Sequence, residues 1–289
     1  MKVAVTGANG QLGTDLCQTM HNFDVIPLTH ADIEIADVVS VRDAMLKHKP
    51  AVIINTAAYV RVDDCEDEKD KTFSVNALGA RNIAVVAQEL GAKLVHISTD
   101  YVFGGEAEPR TTPYTEFDTA VPLSTYGKSK LAGENLVRHF CLRHFIVRAS
   151  GLFGVAGSSG KGGNFIETML RLARERNELK VVDDQVFSPT YTGDLARKIA
   201  QLMTTDYYGI FHITNKGACS WYEFTMEILK LVDIKTPVVP ITSDQYPQKA
   251  RRPRYSVLDN SHLRLLGMDD MRPWQEALKD YLVARGHIV

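Results

Sequence analysis

Tyr126 and Lys130 stand four residues apart in the stretch Tyr126-Gly-Lys-Ser-Lys130, a spacing that puts both side chains on one face of a helix. An ammonium held there favours the phenolate and draws a tyrosine down from its ordinary pKa of about 10. The pair therefore reads as a proton donor or acceptor for work near neutral pH, with Lys130 also able to hold a ribose hydroxyl. Upstream, Ser98 and Thr99 close an apolar run, and either hydroxyl can hydrogen-bond a reacting carbonyl. Tyrosine and lysine at this spacing also arise by chance on amphipathic helices, and a Ser-Thr pair serves equally well as a cap. The chemistry depends on what the rest of the chain brings to these four residues.

What it brings begins in the first thirteen residues. Positions 2–5 form a short apolar run, and Gly7, Gly10 and Gly13 follow at three-residue spacing before a helical stretch at 12–20. A strand, a glycine turn and a helix in that order suit a diphosphate. Gly7 can take backbone angles closed to other residues, Gly10 admits the pyrophosphate to the main chain, and Gly13 lets the helix pack closely on the strand. The unpaired N–H groups and positive dipole end of the helix then face the anion. Three glycines also make an ordinary tight turn. Their position between a strand and a helix, with further alternation behind them, favours dinucleotide binding.

That alternation continues with strands at 24–28, 51–55, 93–98 and 145–148, and helices at 40–49, 67–90 and 124–143. The strands are apolar almost throughout, as in a parallel sheet covered on both faces. Helix 67–90 is expected to bury Phe73, Ala77, Ala80, Ala84 and Ala87, with Gly91 as its stop. Residues 151–163 hold six glycines and two serines and read as a mobile loop. Beyond it come a helix at 164–175, a strand at 179–182, a helix at 194–203, a strand at 210–213, and a helix capped by Ser220 with Glu223 in the capping-box position. The fold class expected is α/β, a doubly wound parallel sheet of Rossmann type with a smaller C-terminal substrate-binding lobe. Residues 1–150 form the dinucleotide-binding domain and 151–289 mainly the lobe, elements near 186–215 returning to the first. Ligands in such folds sit at the carboxyl ends of the strands.

Composition narrows the partners. The 289 residues are 45% hydrophobic, and 33 basic side chains nearly balance 35 acidic ones, so no global field points to nucleic acid or an anionic membrane. No apolar run is long enough to span a bilayer and no signal core precedes the first strand, which makes a cytoplasmic location the expectation. Cys17, Cys65, Cys141 and Cys219 are scattered and read as reduced packing thiols. The nine histidines show no ligand spacing, so no metal is expected.

Several stretches together resemble one family. Thr6-Gly-Ala-Asn-Gly-Gln-Leu-Gly13, Asn55-Thr-Ala-Ala-Tyr59, Val62-Asp63, Ser98-Thr-Asp-Tyr-Val-Phe103, Tyr126 to Glu134, Asn164-Phe165, Asp184-Gln185 and Ser188-Pro-Thr-Tyr191 are similar to motifs of the dTDP-4-dehydrorhamnose reductases, extended short-chain dehydrogenase/reductases. The resemblance covers nearly the whole chain. It implies reduction of the 4-keto group of a dTDP-linked 6-deoxyhexose to give dTDP-L-rhamnose, with NADP(H) or NAD(H) as cofactor and a homodimer as a further expectation. Thr99, Tyr126 and Lys130 fall on the family's catalytic residues. Gly10, Gln11, Leu12, Ala58 and Tyr59 fall on its cofactor loops, joined by Gly7, Gly13, Thr29 and Ala57, and Glu34-Ile35 match its adenine-contacting pair. Val62, Thr99, Asp100, Tyr101, Gly151, Asn164 and Arg252 are the substrate-binding candidates.

Two departures border the sugar site. The family's Arg-Thr-Ser-Trp is here Arg148-Ala-Ser-Gly151, and Val60-Arg61 replaces a smaller, more polar pair. The segment 151–163 is expected to close as a lid, Leu152 or Phe153 supplying the missing aromatic surface. Arg251-Arg-Pro-Arg254 reads as a diphosphate clamp or a solvated basic loop, the acidic run 63–68 as a helix start favoured by the dipole, and Trp221 and Trp274 as packing anchors. The second strand runs into Leu28-Thr29-His30 with no carboxylate at its tip, Asp32 lying beyond, so dual cofactor use with NADPH preferred is expected. Competing readings are a nucleotide-sugar epimerase or dehydratase that retains NAD, and a non-catalytic regulatory subunit.

Overall fold

Six short strands run parallel in one sheet, ordered Gly209–His212, His144–Ala149, Lys93–Thr99, Val52–Asn55, Lys2–Thr6, Asp24–Leu28. This is a computed structural model, and it describes residues 1–108, 110–157, 163–246 and 248–289. The chain leaves Lys2–Thr6 first for the strand on one side, Asp24–Leu28, and later for the one on the other, Val52–Asn55. The strand order reverses there, and a crevice opens outside the carboxyl ends.

Successive side chains point to opposite faces. Val3 and Val5 pack with Leu12 and Leu16 of helix Gln11–Thr19 and with Leu195 and Ile199 of helix Thr192–Leu202. Ala4 and Ile53 face the other way, onto Val41 and Met45 of helix Val38–His48, Ile83 and Ala87 of Ala80–Leu90, and Val137 of Thr125–Phe140. A third core joins helices Phe165–Glu175, Trp221–Leu231 and Trp274–Ala284 through Ile166, Phe224, Ile228 and Tyr281. The Ser220–Glu223 capping box starts the second of these helices.

The chain beyond residue 150 returns to the sheet layer. Helix Thr192–Leu202 lies on Gln11–Thr19, and Gly209–His212 supplies the edge strand beside His144–Ala149.

The long helix expected at 67–90 is broken into Lys69–Phe73, a π-helical stretch Ser74–Gly79, and Ala80–Leu90. The wider turn rotates the inward face. Ala77, Ala80, Ala84 and Ala87 are buried as expected, whereas Phe73 is 37% exposed and Asn76 is turned inward instead. The Asn76 amide grips the Tyr59 peptide from both sides, accepting from its N–H at 2.8 Å and donating to its C=O at 3.0 Å, and it also donates to Ser129 Oγ. The break in the helix thus fixes a loop of the crevice.

Candidate active site

The crevice is a cavity of about 700 Å³. On one side lie Gly7, Gly10, Gln11 and Leu12. Gly7 has φ +71°, and a Cβ there would fall 2.7 Å from Thr56 Oγ1. Gly10 caps helix Gln11–Thr19 with no side-chain hydrogen bond to the first-turn N–H groups, which leaves donors of the helix N-terminus facing the cavity. Gly13 is outside the lining. A Cβ there would lie 2.2 Å from Gly7 O, so its service is the close packing of helix on strand.

Thr29, Glu34 and Ile35 border the same end, with Ala57 and Ala58 opposite. Asp32 is engaged within its own turn, accepting from the N–H and the hydroxyl of Thr29 at 2.8 Å each. Tyr59 is held through its backbone by Asn76 and its ring carries the Lys71 ammonium at 4.7 Å. Its side chain is not among the cavity-lining groups.

At the other end Thr99, Asp100, Tyr101, Tyr126 and Lys130 converge, and Val62 lines the same space. Ser124 caps the helix that carries Tyr126 and Lys130, accepting from Gly127 N. Lys130 Nζ donates to Ile97 O at 2.6 Å, and burial brings this ammonium down to about 8, with Glu134 opposing. Burial moves Tyr126 the other way, well above the ordinary tyrosine range. This corrects the expectation that Lys130 lowers the Tyr126 pKa: loss of solvent outweighs any neighbouring charge, and the phenol keeps its proton throughout the neutral range.

A further correction concerns the Ser98 hydroxyl. Ser98 donates to Glu134 Oε1 at 2.5 Å and is committed to the core. Thr99 donates to Asp100 Oδ1 at 3.0 Å and accepts from Tyr101 N at 3.2 Å. Thr99 lines the cavity together with Tyr126, within hydrogen-bonding reach of its phenol. Asp100 is buried and also accepts from Ser150 and Ser256. Burial raises its pKa against these three hydroxyls.

Beneath the site, Glu134 continues the face of Tyr126 and Lys130 by one more turn. Its carboxylate takes Arg148 at 2.6 Å, both side chains almost fully buried. The guanidinium lies 3.4 Å from His212 Nε2. Burial first and Arg148 second bring His212 down to about 3, so the imidazole is neutral. One buried pair thus ties the helix to two strands.

The aromatic surface of the cavity is wider than expected. Gly151 has φ +53°, and a Cβ on it would meet the Phe187 ring at 2.3 Å. Phe153 is buried and Leu152 is 36% exposed. Both line the cavity, and Phe165, Phe187, Trp221 and Phe224 line it with them. Trp221, read as a packing anchor, lines the cavity, while Trp274 is buried in the third core. No local pattern marks Phe187 or Trp221; they reach the site through the antiparallel pairing of Val186–Phe187 with Cys219–Ser220. Of the glycine-rich segment proposed as a lid, residues 158–162 lie outside the described residues.

Asn164 lines the cavity, yet its amide is in use, accepting from Glu167 N and donating to Tyr281 OH at 2.8 Å. Arg252 is outside the lining and pairs with Asp63 at 3.2 Å. In the acidic run, Glu66 accepts from the N–H and hydroxyl of Thr125, anchoring the start of the Tyr126 helix. Among the described residues no cluster of metal-ligating side chains occurs, and no helix is long and apolar enough to cross a membrane.

Comparison with known proteins matches residues 1–285 to the RmlD substrate binding domain. The spore coat polysaccharide biosynthesis protein SpsK of Bacillus subtilis is 43% identical over 286 residues, 98% of each chain. The crystal structure of a dTDP-4-dehydrorhamnose reductase from Clostridium acetobutylicum superposes with a TM-score of 0.93 at 44% identity, covering 99% of this chain and 100% of that one. That of a dTDP-4-dehydrorhamnose reductase from Bacillus anthracis, in complex with NADP, does so with 0.93 at 41%, covering 98% and 99%. In sequence and in fold alike, the chain belongs to the RmlD substrate binding domain family, that of the dTDP-4-dehydrorhamnose reductases.

Proposed function

We propose that this protein reduces the 4-keto group of a dTDP-linked 4-keto-6-deoxyhexose with NAD(P)H, dTDP-4-dehydrorhamnose going to dTDP-L-rhamnose for polysaccharide biosynthesis. The observation that carries the reading is the convergence, in one cavity, of an uncapped helix N-terminus behind Gly7 and Gly10 with a buried, protonated Tyr126 and its neighbour Lys130.

The cradle fits a dinucleotide: side chains at Gly7 would collide with Thr56, and the first-turn N–H groups of helix Gln11–Thr19 have no side-chain cap. Gly7, Gly10, Gln11 and Leu12 would hold the pyrophosphate, and Thr29, Glu34, Ile35, Ala57 and Ala58 the adenosine end. Bound nicotinamide supplies the hydride for carbon 4. Tyr126 gives its proton to the sugar oxygen, and the Lys130 ammonium favours the phenolate left behind. Thr99 hydrogen-bonds the sugar beside it. Asp32 is turned onto Thr29 through one carboxylate oxygen, and Glu34 is the carboxylate lining the adenosine end, which supports use of both NADPH and NADH.

Four free cysteines suit a reducing compartment and support a cytoplasmic location; a homodimer is the assembly expected. The test is stoichiometric loss of NADPH absorbance on adding dTDP-4-dehydrorhamnose, with the product's stereochemistry determined. Conversion without net cofactor oxidation would instead assign an epimerase or dehydratase.

A further inference from the structure

Three aromatic rings stand in a row along one wall of the cavity. Phe187 stacks on Trp221 with centroids 4.0 Å apart, and Trp221 lies 4.6 Å from Phe165. The row begins at the reacting end. Phe187 abuts Gly151, two residues past Ala149, the register partner of Thr99. Its anchorage is rigid: the capping box holds Ser220 to Glu223, and the Ser220 hydroxyl also donates to Asp183. Phe187 is buried while Trp221 is half-buried, so the indole is the ring with surface to offer.

Thr99, Asp100 and Tyr126 stand on other elements, and the three rings form an apolar wall with Gln185 at its side. A 6-deoxyhexose has matching sides. Its carbonyl and hydroxyls need polar partners, whereas its C–H face and methyl group need none and lie well against a flat ring. Resting on the function proposed above, we infer that Trp221, backed by Phe187 and Phe165, is the platform for the C–H face and methyl group of the sugar, and so selects for a hexose deoxygenated at carbon 6. A hydroxyl on that carbon would lose water against the indole face, which accepts no hydrogen bond in its place.

The chain has two tryptophans, and Trp274 Nε1 has no hydrogen-bond partner among the described residues, so Trp274→Phe in the full-length protein leaves Trp221 as the sole indole without removing a hydrogen bond. Titration with dTDP-L-rhamnose should change its emission, and titration with dTDP should not. A change produced by dTDP alone would place the ring on the base and overturn the assignment. So would calorimetric binding of dTDP-L-rhamnose with no change in emission. If neither compound binds, the proposed function falls with the inference; if binding is intact and emission silent, the inference falls alone. Trp221→Ala should raise KM for the 6-deoxy substrate about tenfold and leave dTDP affinity within about twofold, with Trp221→Phe restoring most of the loss. An unchanged KM in Trp221→Ala, or an equal loss for dTDP, counts against the sugar platform.

Discussion

The Thr99 hydroxyl lies 3.0 Å from Asp100 Oδ1 and gives it its only proton. The same carboxylate takes protons from Ser150 and Ser256, so one buried side chain gathers hydroxyls from the strand ends and from the C-terminal segment and sets the direction of each bond. Asp100→Leu would leave three buried hydroxyls without an acceptor. It should lower the unfolding free energy by about 1–3 kcal/mol in urea denaturation and depress kcat. Asp100→Asn can still accept from Thr99 while its amide donates to the two serines. It should keep kcat within about tenfold, and a collapse in this variant would assign the charge itself a role.

Tyr126→Phe retains a ring of the same shape at the same buried place and lacks the acid. Turnover should fall by about 10² or more with cofactor affinity, measured by titration, nearly unchanged. Near-full activity would remove Tyr126 as proton donor.

Burial holds Lys130 at about 8, and the ammonium is the form that steadies the phenolate. The kcat/KM for reduction should therefore be flat below this value and fall as pH rises through about 8. Tyr126, whose pKa is raised above its ordinary value, adds no loss in that range. Lys130→Arg keeps its charge to higher pH and should move the fall out of the measured window.

Gly151→Trp, which restores the family's residue, should not restore a sugar-binding indole. Its Cβ would lie 2.3 Å from the Phe187 ring on a backbone with φ +53°. Loss of more than about 1 kcal/mol of stability is expected even for Gly151→Ala, read as a lower denaturation midpoint. A tryptophan variant of native stability would mean that Phe187 swings aside.

Glu134→Gln leaves the Arg148 guanidinium buried beside a neutral partner. The expected destabilisation is about 3–5 kcal/mol, with the thermal midpoint as the measurement and Glu134→Asp as the shortened control.

The parallel sheet was legible because its strands are apolar almost throughout, and the cofactor end because glycine spacing is a local signal read directly from the chain. The π-helical stretch at Ser74–Gly79 was not: the alanine spacing fits an unbroken helix, and only the pull of Asn76 on the Tyr59 peptide shows why the turn widens. Trp221 and Phe187 escaped because aromatics in apolar stretches look alike whether they face a core or a ligand, and what separates the cases is a two-residue strand pairing distant in sequence. The helical repeat brings Lys130 and Tyr126 to one cavity, yet the net shift of the tyrosine was misjudged, since spacing carries no information about solvent.

The edge strand Gly209–His212 has a consequence for how the protein is made. Until it emerges during synthesis, His144–Ala149 has one unpaired edge, and the apolar groups of helix Gln11–Thr19 lack the cover of Thr192–Leu202. The nucleotide layer cannot finish on the ribosome ahead of the lobe. A nascent chain stalled before residue 209 presents a bare, apolar strand edge, which is a template for aggregation and a natural client for a chaperone. Dividing the gene near residue 150 would yield two pieces that each lack part of a common sheet layer, so the boundary convenient on paper is a poor place to cut.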